Sequence, residues 1–91
     1  MVEKVIEVKN KLGIHARPAA LLVRAAAKFA SDIFLITDDE KINGKSIMSV
    51  MALAAEQGTK IRIQANGKDE AAAVKKMVEL FENKFEEDWH A

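Results

Sequence analysis

Apolar and polar residues alternate in two segments of the chain, residues 2–9 and residues 59–67. Side chains of a strand point alternately to its two faces, so each segment is predicted to be a strand with one buried face. The apolar positions are Val2, Ile6 and Val8 in the first segment and Ile61, Ile63 and Ala65 in the second. Two shorter β-rich segments, 32–37 and 41–43, flank the acidic residues 38–40 and predict a hairpin.

Three other segments show apolar residues at a helical period. They cover residues 16 to about 29, residues 43–58, and residues 68–89. The second helix is predicted to end at Gly58, because glycine readily takes the left-handed conformation that stops a helix. The apolar stripes of the two longer helices are Ala19, Leu22, Val23, Ala26 and Ala30 in the first, and Ala71, Val74, Met77, Val78, Phe81 and Phe85 in the third.

The element order is therefore β-α-β-β-α-β-α, without a visible linker or repeat. Strands with one polar face are typical of an antiparallel sheet that is covered on one side and solvated on the other. We expect an α+β two-layer open-faced sandwich, in which three helices cover one face of a four-stranded antiparallel sheet. Residues 1–91 are expected to form a single domain. Asp69 and Glu70 suit the positive N-terminal end of the third helix.

Composition restricts the chemistry that this chain can perform. It has 49% hydrophobic residues, 31% charged residues and no cysteine, so disulfides, thiolate catalysis and cysteine metal sites are excluded. Fourteen basic residues balance fourteen acidic ones, which leaves no overall field to attract nucleic acid. The first residues lack a signal-peptide pattern, and no apolar run approaches the roughly 20 residues of a membrane helix. A cytoplasmic protein without membrane insertion is expected.

A histidine, an arginine and the only proline crowd together where the first helix begins. Pro18 suits an early helical position, and the backbone N–H groups there, such as that of Ala16, favour an anion. Arg17 adds a positive charge with a geometry suited to phosphate oxygens. These charges disfavour protonation of His15, which would then be a nucleophile beside an anion site, as phosphoryl transfer requires. The same pattern also fits an ordinary N-cap histidine beside a solvated arginine. A metal site is disfavoured, because the only other histidine is His90.

The residues GIHARPA (13–19) resemble the active-site signature of the histidine-containing phosphocarrier (HPr) family of the bacterial phosphoenolpyruvate-dependent phosphotransferase system. The likeness continues through NGKSIMSVMALAAEQG (43–58) and GKDEAAAV (67–74). It implies that His15 accepts a phosphoryl group on Nδ1 from phosphorylated enzyme I and passes it to the A component of a sugar-specific enzyme II. Arg17 would orient and neutralise that group, assisted by the backbone amide of Ala16. The resemblance implies no metal, no cofactor and a stoichiometric carrier, not an enzyme, which we expect to be monomeric.

Gly44, Lys45 and Ser46 precede the second helix and suggest a nucleotide-binding P-loop. That motif needs a glycine at position 39, where this chain has Asp39, so the P-loop is excluded. Ser46 alone suits an N-cap, with its hydroxyl accepting a backbone N–H. The resemblance adds that the matching serine is a regulatory phosphorylation site of a dedicated kinase in many family members. Such a phosphate is expected to alter docking and to leave the helix folded.

Five residues around these two helix starts are candidates for a docking surface. They are Ile47, Met48 and Met51 of the second helix, extended by Leu21 and Arg24 of the first. Val50 and Leu53 are predicted to face the core. A contiguous exposed apolar group beside a reactive histidine favours partner docking, although ordinary packing also explains Met48 and Met51.

Two alternatives keep the resemblance but change the role. The carrier could serve the nitrogen-related branch of the phosphotransferase system, or a regulatory protein could act mainly through the Ser46 face on a transcriptional regulator. Nucleic-acid binding through Lys45, Lys60 and Arg62 is disfavoured, because the chain is neutral and we expect no aromatic platform on the sheet. In the family a glycine usually follows Leu53, where this chain has two alanines that are expected to stiffen the helix. The last residues, Trp89, His90 and Ala91, are expected to form a tail without a site.

Overall fold

The predicted elements occur in the predicted order in the computed structural model, which describes residues 1–85. Within this range the elements are β1 (Val2–Glu7), α1 (Ala16–Ala26), β2 (Asp32–Ile36), β3 (Lys41–Asn43), α2 (Ile47–Leu53), β4 (Lys60–Asn66) and α3 (Glu70–Glu82). The third helix was predicted to reach residue 89, which is wrong: it ends at Glu82, and Lys84 and Phe85 take positive φ values. Residues 86–91, with the predicted tail, lie outside the described part of the chain.

The four strands form one antiparallel sheet in the order β1-β4-β2-β3. The central strand β4 has the most regular alternation, and its Ile61, Ile63 and Ala65 are all fully buried. Ile61 lies opposite Ile6 of β1, and Ile63 lies opposite Leu35 of β2. The buried faces of these strands therefore coincide, and the α+β open-faced sandwich is confirmed.

The covered face of the sheet packs against α1 and α3. Buried residues come from α1 (Pro18, Ala19, Leu22, Ala25, Ala26) and from α3 (Ala73, Val74, Met77, Phe81). Phe85 follows α3 and packs edge-to-face on Phe81, with ring centroids 4.9 Å apart. Two predictions at the stripe ends are wrong: Ala30 lies beyond α1 and is exposed, and Ala71 is exposed while Ala73 is buried.

The second helix ends at Leu53, five residues before the predicted stop at Gly58. Ala54 takes the left-handed conformation (φ 48°, ψ 41°), and its N–H donates to the Met51 carbonyl. Ala54 therefore ends the helix and does not stiffen it. Gly58 has φ +92° in the following turn, where its N–H donates to the Val8 carbonyl at 2.8 Å. Gly58 therefore has the positive φ that was predicted, but it lies in a turn after α2 and does not end that helix.

Asp69, at the start of α3, holds the connection between α1 and β2. Its carboxylate accepts the N–H groups of Ala30 and Ser31, both at 2.9 Å, and the Ser31 hydroxyl. The Ser31 hydroxyl and then the Ala30 N–H lower the pKa of Asp69 from 3.8 to about 2. Gly67 passes so close to Ser31 that a Cβ there would lie 2.6 Å from its hydroxyl oxygen. The connection between α1 and β2 and the connection between β4 and α3 are therefore held against each other.

Among residues 1–85 the open face of the sheet carries mostly polar residues, together with exposed Val5 and half-buried Ile36 and Phe34. Phe34 is half-buried on this face, and the Lys41 ammonium lies 4.5 Å from its ring centroid. A single ring already covered by a lysine does not form a platform for stacked bases.

Candidate functional site

His15 is the N-cap residue of α1, in an extended backbone conformation (φ −106°, ψ −165°). Its carbonyl accepts the Ala19 N–H at 3.0 Å, which begins the helical hydrogen bonding. Ala16 and Arg17 follow as exposed residues, and Pro18 is buried. Proline at this third helical position loses nothing, because an N–H there would have no acceptor within the helix. The first turn contains no acidic residue, so locally the chain presents N–H groups and the Arg17 charge beside His15.

The loop before His15 is fixed by a buried asparagine that sequence reasoning missed. Asn10 is 1% exposed. Its side-chain NH₂ group donates to the Gly13 carbonyl, and its backbone carbonyl accepts the Gly13 N–H. Gly13 has φ +68° and lies so close to α2 that a Cβ would come within 2.3 Å of the Ala55 carbonyl. The Ile14 N–H donates to that carbonyl at 2.8 Å. The backbone on which His15 is mounted is therefore anchored to the end of α2.

The imidazole of His15 is half-buried, and its Nε2 atom is shielded from solvent. A reaction partner from outside the protein cannot reach a shielded nitrogen directly.

The residues Gly44, Lys45 and Ser46 each have a structural task. The Gly44 N–H donates to the Ile33 carbonyl at 2.7 Å, and a Cβ there would crowd the Ile33 side chain at 3.0 Å. The Lys45 ammonium donates to the Phe29 carbonyl at 2.8 Å, so it fastens the segment after α1. The Ser46 hydroxyl accepts the Ser49 N–H at 3.2 Å, which agrees with the predicted N-cap.

The three apolar candidates of α2 are on the surface. Met48 is 80% exposed, Met51 44% and Ile47 39%, whereas Val50 is fully buried and Leu53 half-buried. The predicted division of this helix into an outer and an inner face therefore agrees with the structure. Ile47, Met48 and Met51 are called the α2 apolar patch below.

The two docking candidates of α1 are Leu21, which is half-buried, and Arg24, which is exposed. They line a groove on the side of α1 that faces α3, with a volume of about 210 Å³. The other lining residues are Ala25, Lys28, Lys76 and Leu80. A further exposed apolar residue that sequence reasoning missed is Leu12, 74% exposed in the loop before His15. The sequence feature that could have revealed it is a leucine in a loop whose other residues are polar or glycine.

No group of three or more metal-binding side chains occurs among residues 1–85. The second histidine, His90, lies outside that range. A helix long and apolar enough to cross a membrane is likewise absent from the described part of the chain.

The fold and the helix start at His15 define a small open-faced sandwich with a histidine as the N-cap of its first helix. A family model described as "PTS HPr component phosphorylation site" matches residues 2–83. The phosphocarrier protein HPr of Treponema pallidum (strain Nichols) is 50% identical over 88 residues, which cover 97% of this chain and all of that protein. The chain therefore belongs to the HPr family, the phosphocarrier proteins of the phosphotransferase system.

Solved structures agree with this assignment. The crystal structure of HPr from Thermoanaerobacter tengcongensis superposes with a TM-score of 0.90 at 50% identity, covering 93% of this chain and 96% of that one. A crystal structure of Crh, a Bacillus subtilis catabolite repression protein described as a dimer with a swapped domain, has a TM-score of 0.73. It is 44% identical and covers 92% of this chain and 97% of that one.

Proposed function

We propose that His15 is the residue that carries the phosphoryl group, receiving it from phosphorylated enzyme I and giving it to the A component of an enzyme II. The observation that carries the proposal is the position of His15 as N-cap of α1, within a chain that matches a family phosphorylation site. The Nδ1 lone pair forms the new N–P bond while the bond from phosphorus to the donor breaks, and the donor keeps that electron pair. Shielding of Nε2 supports reaction at Nδ1.

Two features would stabilise the phosphoryl group once it is attached. A phosphoryl group carries nearly two negative charges, and the N-terminal end of α1 is its positive end. The Arg17 guanidinium can donate two parallel hydrogen bonds to phosphoryl oxygens, and the Ala16 N–H lies in the same first turn. Stabilisation must remain moderate, because a carrier has to release the group to the next protein. The protein then acts as a stoichiometric carrier, returned unchanged after each transfer.

Incubation with phosphoenolpyruvate and enzyme I tests the proposal. We expect one acid-labile, alkali-stable phosphoryl group per chain, which is absent in His15→Ala. The matched control is His90→Ala, which removes the only other histidine and is expected to accept the phosphoryl group normally. Labelling that persists in His15→Ala, or wild type that accepts nothing, would overturn the proposal.

Ser46 supports a second, regulatory role. Its half-buried hydroxyl begins α2, directly before Ile47 and Met48 of the α2 apolar patch. Phosphorylation by a serine kinase would place negative charge at a helix start, where it is tolerated, and beside a surface suited to docking. We expect Ser46→Asp to slow transfer from enzyme I and to leave the helix content by circular dichroism unchanged. The neighbouring Ser49→Asp is the control, and equal effects of both changes would argue against a specific role of Ser46.

The likeness to Crh supports the regulatory alternative, in which the Ser46 face docks on a transcriptional regulator. The nitrogen-related branch is the other alternative. Phosphoryl transfer from the sugar-branch enzyme I and from its nitrogen-branch counterpart, measured side by side, separates the pathways. Sedimentation of the purified protein tests the expected monomer against a swapped dimer of the kind described for Crh.

A further inference from the structure

The groove between α1 and α3 combines an apolar floor with a basic rim. Ala25 is buried, and Leu21 and Leu80 are half-buried, which leaves aliphatic surface at the bottom of the groove. Arg24, Lys28 and Lys76 are exposed along its edges. Residues four apart lie on one face of a helix, so Lys76 and Leu80 of α3 face the same side. Across the groove, Arg24 belongs to α1 and Lys28 follows two residues after the end of that helix.

The three cations of this groove are not neutralised by the described residues. The ion pairs formed within residues 1–85 involve other groups, and none of them includes Arg24, Lys28 or Lys76. Of the three α3 carboxylates, Glu79 is exposed next to Leu80 and is in none of these ion pairs. The other two are engaged away from the groove. Glu82 pairs with Lys9 at 3.3 Å, and Glu70 accepts the Gly67 N–H at 3.0 Å.

The segment that contains α1 has charges of one sign, although the whole chain is neutral. Residues 8–31 contain no acidic residue. They contain five basic residues, Lys9, Lys11, Arg17, Arg24 and Lys28. Such a local excess of positive charge attracts and orients an acidic partner, and it disfavours basic ones.

We propose that this groove binds an acidic amphipathic segment of a partner protein. An aliphatic or aromatic side chain of the segment lies on Leu21, Ala25 and Leu80, and its carboxylates pair with the rim cations. The apolar floor favours a peptide over a phosphorylated small molecule, which has no group to place there. The proposal goes beyond phosphoryl transport, because the groove includes Lys76 and Leu80 of α3 as well as residues of α1. Binding here requires no phosphoryl group.

A synthetic peptide provides the test. It has about 15 residues, long enough for a helix, with a leucine stripe flanked by glutamates. Its counterpart carries glutamine in place of each glutamate. Titrations of the unphosphorylated protein, followed by ¹⁵N NMR, are expected to shift amides of residues 21–28 and 76–80 with the acidic peptide. The glutamine peptide is expected to bind at least about tenfold more weakly.

Adjacent lysines of α3 give a matched pair of variants. Lys76→Glu is expected to weaken binding of the acidic peptide about tenfold, while Lys75→Glu, also exposed but outside the groove, changes the affinity less than about twofold. His15→Ala is expected to bind the peptide like wild type, so this test is independent of phosphoryl transport. Equal loss in both lysine variants, shifts confined to the His15 end of α1, or tighter binding of a doubly phosphorylated sugar in the same groove would overturn the proposal.

Discussion

The starts of α1 and α3 use the same backbone feature in opposite ways. Both present N–H groups and the positive end of a helix. At α3 the local sequence supplies the negative charge itself, with Asp69 holding Ala30 and Ser31, and Glu70 accepting the Gly67 N–H. At α1 the first turn has no acidic residue and carries Arg17 beside His15. A helix start with its own carboxylates fastens the fold, whereas one with local cations suits an anion delivered by another protein.

A carboxylate placed at the start of α1 is expected to have the largest effect, because it removes the difference between the two helix starts. Ala16 is exposed at the first helical position, so Ala16→Asp should fold normally and gain about 0.5 kcal/mol of stability from the helix dipole. The new charge repels the incoming phosphoryl group at the site of reaction. We expect the rate of phosphorylation by enzyme I to fall on the order of a hundredfold. Rapid-quench kinetics with ³²P-labelled phosphoenolpyruvate measures the rate.

The matched control is Ala72→Asp, at an equally exposed position in the first turn of α3. We expect it to leave transfer unchanged. If Ala16→Asp accepted phosphoryl groups as fast as this control, the electrostatic role of the α1 start would be wrong.

Arg17→Gln removes the positive charge in the first turn of α1 and is expected to have a smaller effect on the rate than Ala16→Asp. Loss of charged hydrogen bonds to the phosphoryl oxygens should slow transfer about ten- to a hundredfold, with the fold retained. Arg62→Gln, on the open sheet face, is the control and should transfer normally. An Arg17→Gln variant with normal rates in both transfer directions would contradict this role.

Asp69→Asn tests whether the Asp69 carboxylate stabilises the fold by holding Ala30 and Ser31. Asparagine presents one acceptor oxygen and no charge, so we expect a melting temperature several degrees lower at neutral pH and unchanged phosphoryl transfer. Because the pKa of Asp69 is lowered from 3.8 to about 2, its carboxylate stabilises the fold fully above about pH 4. That contribution is lost as the pH falls through about 2. Urea unfolding of wild type and variant should therefore converge over this window, and a constant difference would contradict the assignment.

Ala54→Gly has the smallest expected effect and concerns the end of α2. Ala54 is held at φ 48°, which costs a residue with a Cβ more than glycine. We expect the variant to be about 0.5–1 kcal/mol more stable in urea unfolding. Ala52→Gly, two residues earlier and inside the helix, should be destabilised by a similar amount. Destabilisation by both changes would show that Ala54 is not strained.

Local patterns were sufficient to predict much of this molecule. The alternation in β4, the cap at Ser46 and the inner and outer faces of α2 each follow from residues close together in sequence, and the structure agrees. Contacts between distant segments could not be read in this way. Ser31 lies 38 residues from Asp69, and Phe29 lies 16 residues from Lys45, so neither hydrogen bond leaves a periodic signal. The end of α2 was missed because alanine ordinarily continues a helix.

The central claim is that the start of α1 holds the transferred anion, whereas the start of α3 carries carboxylates of its own that bind neighbouring segments. NMR of ¹⁵N-labelled protein, recorded before and after phosphorylation by enzyme I, tests it most directly. We predict a phosphorus coupling to Nδ1 of His15 and downfield shifts of the Ala16 and Arg17 amide protons, with Asp69 and Glu70 unchanged. A phosphoryl group on another residue, or α1 amides that do not respond to it, would contradict the account.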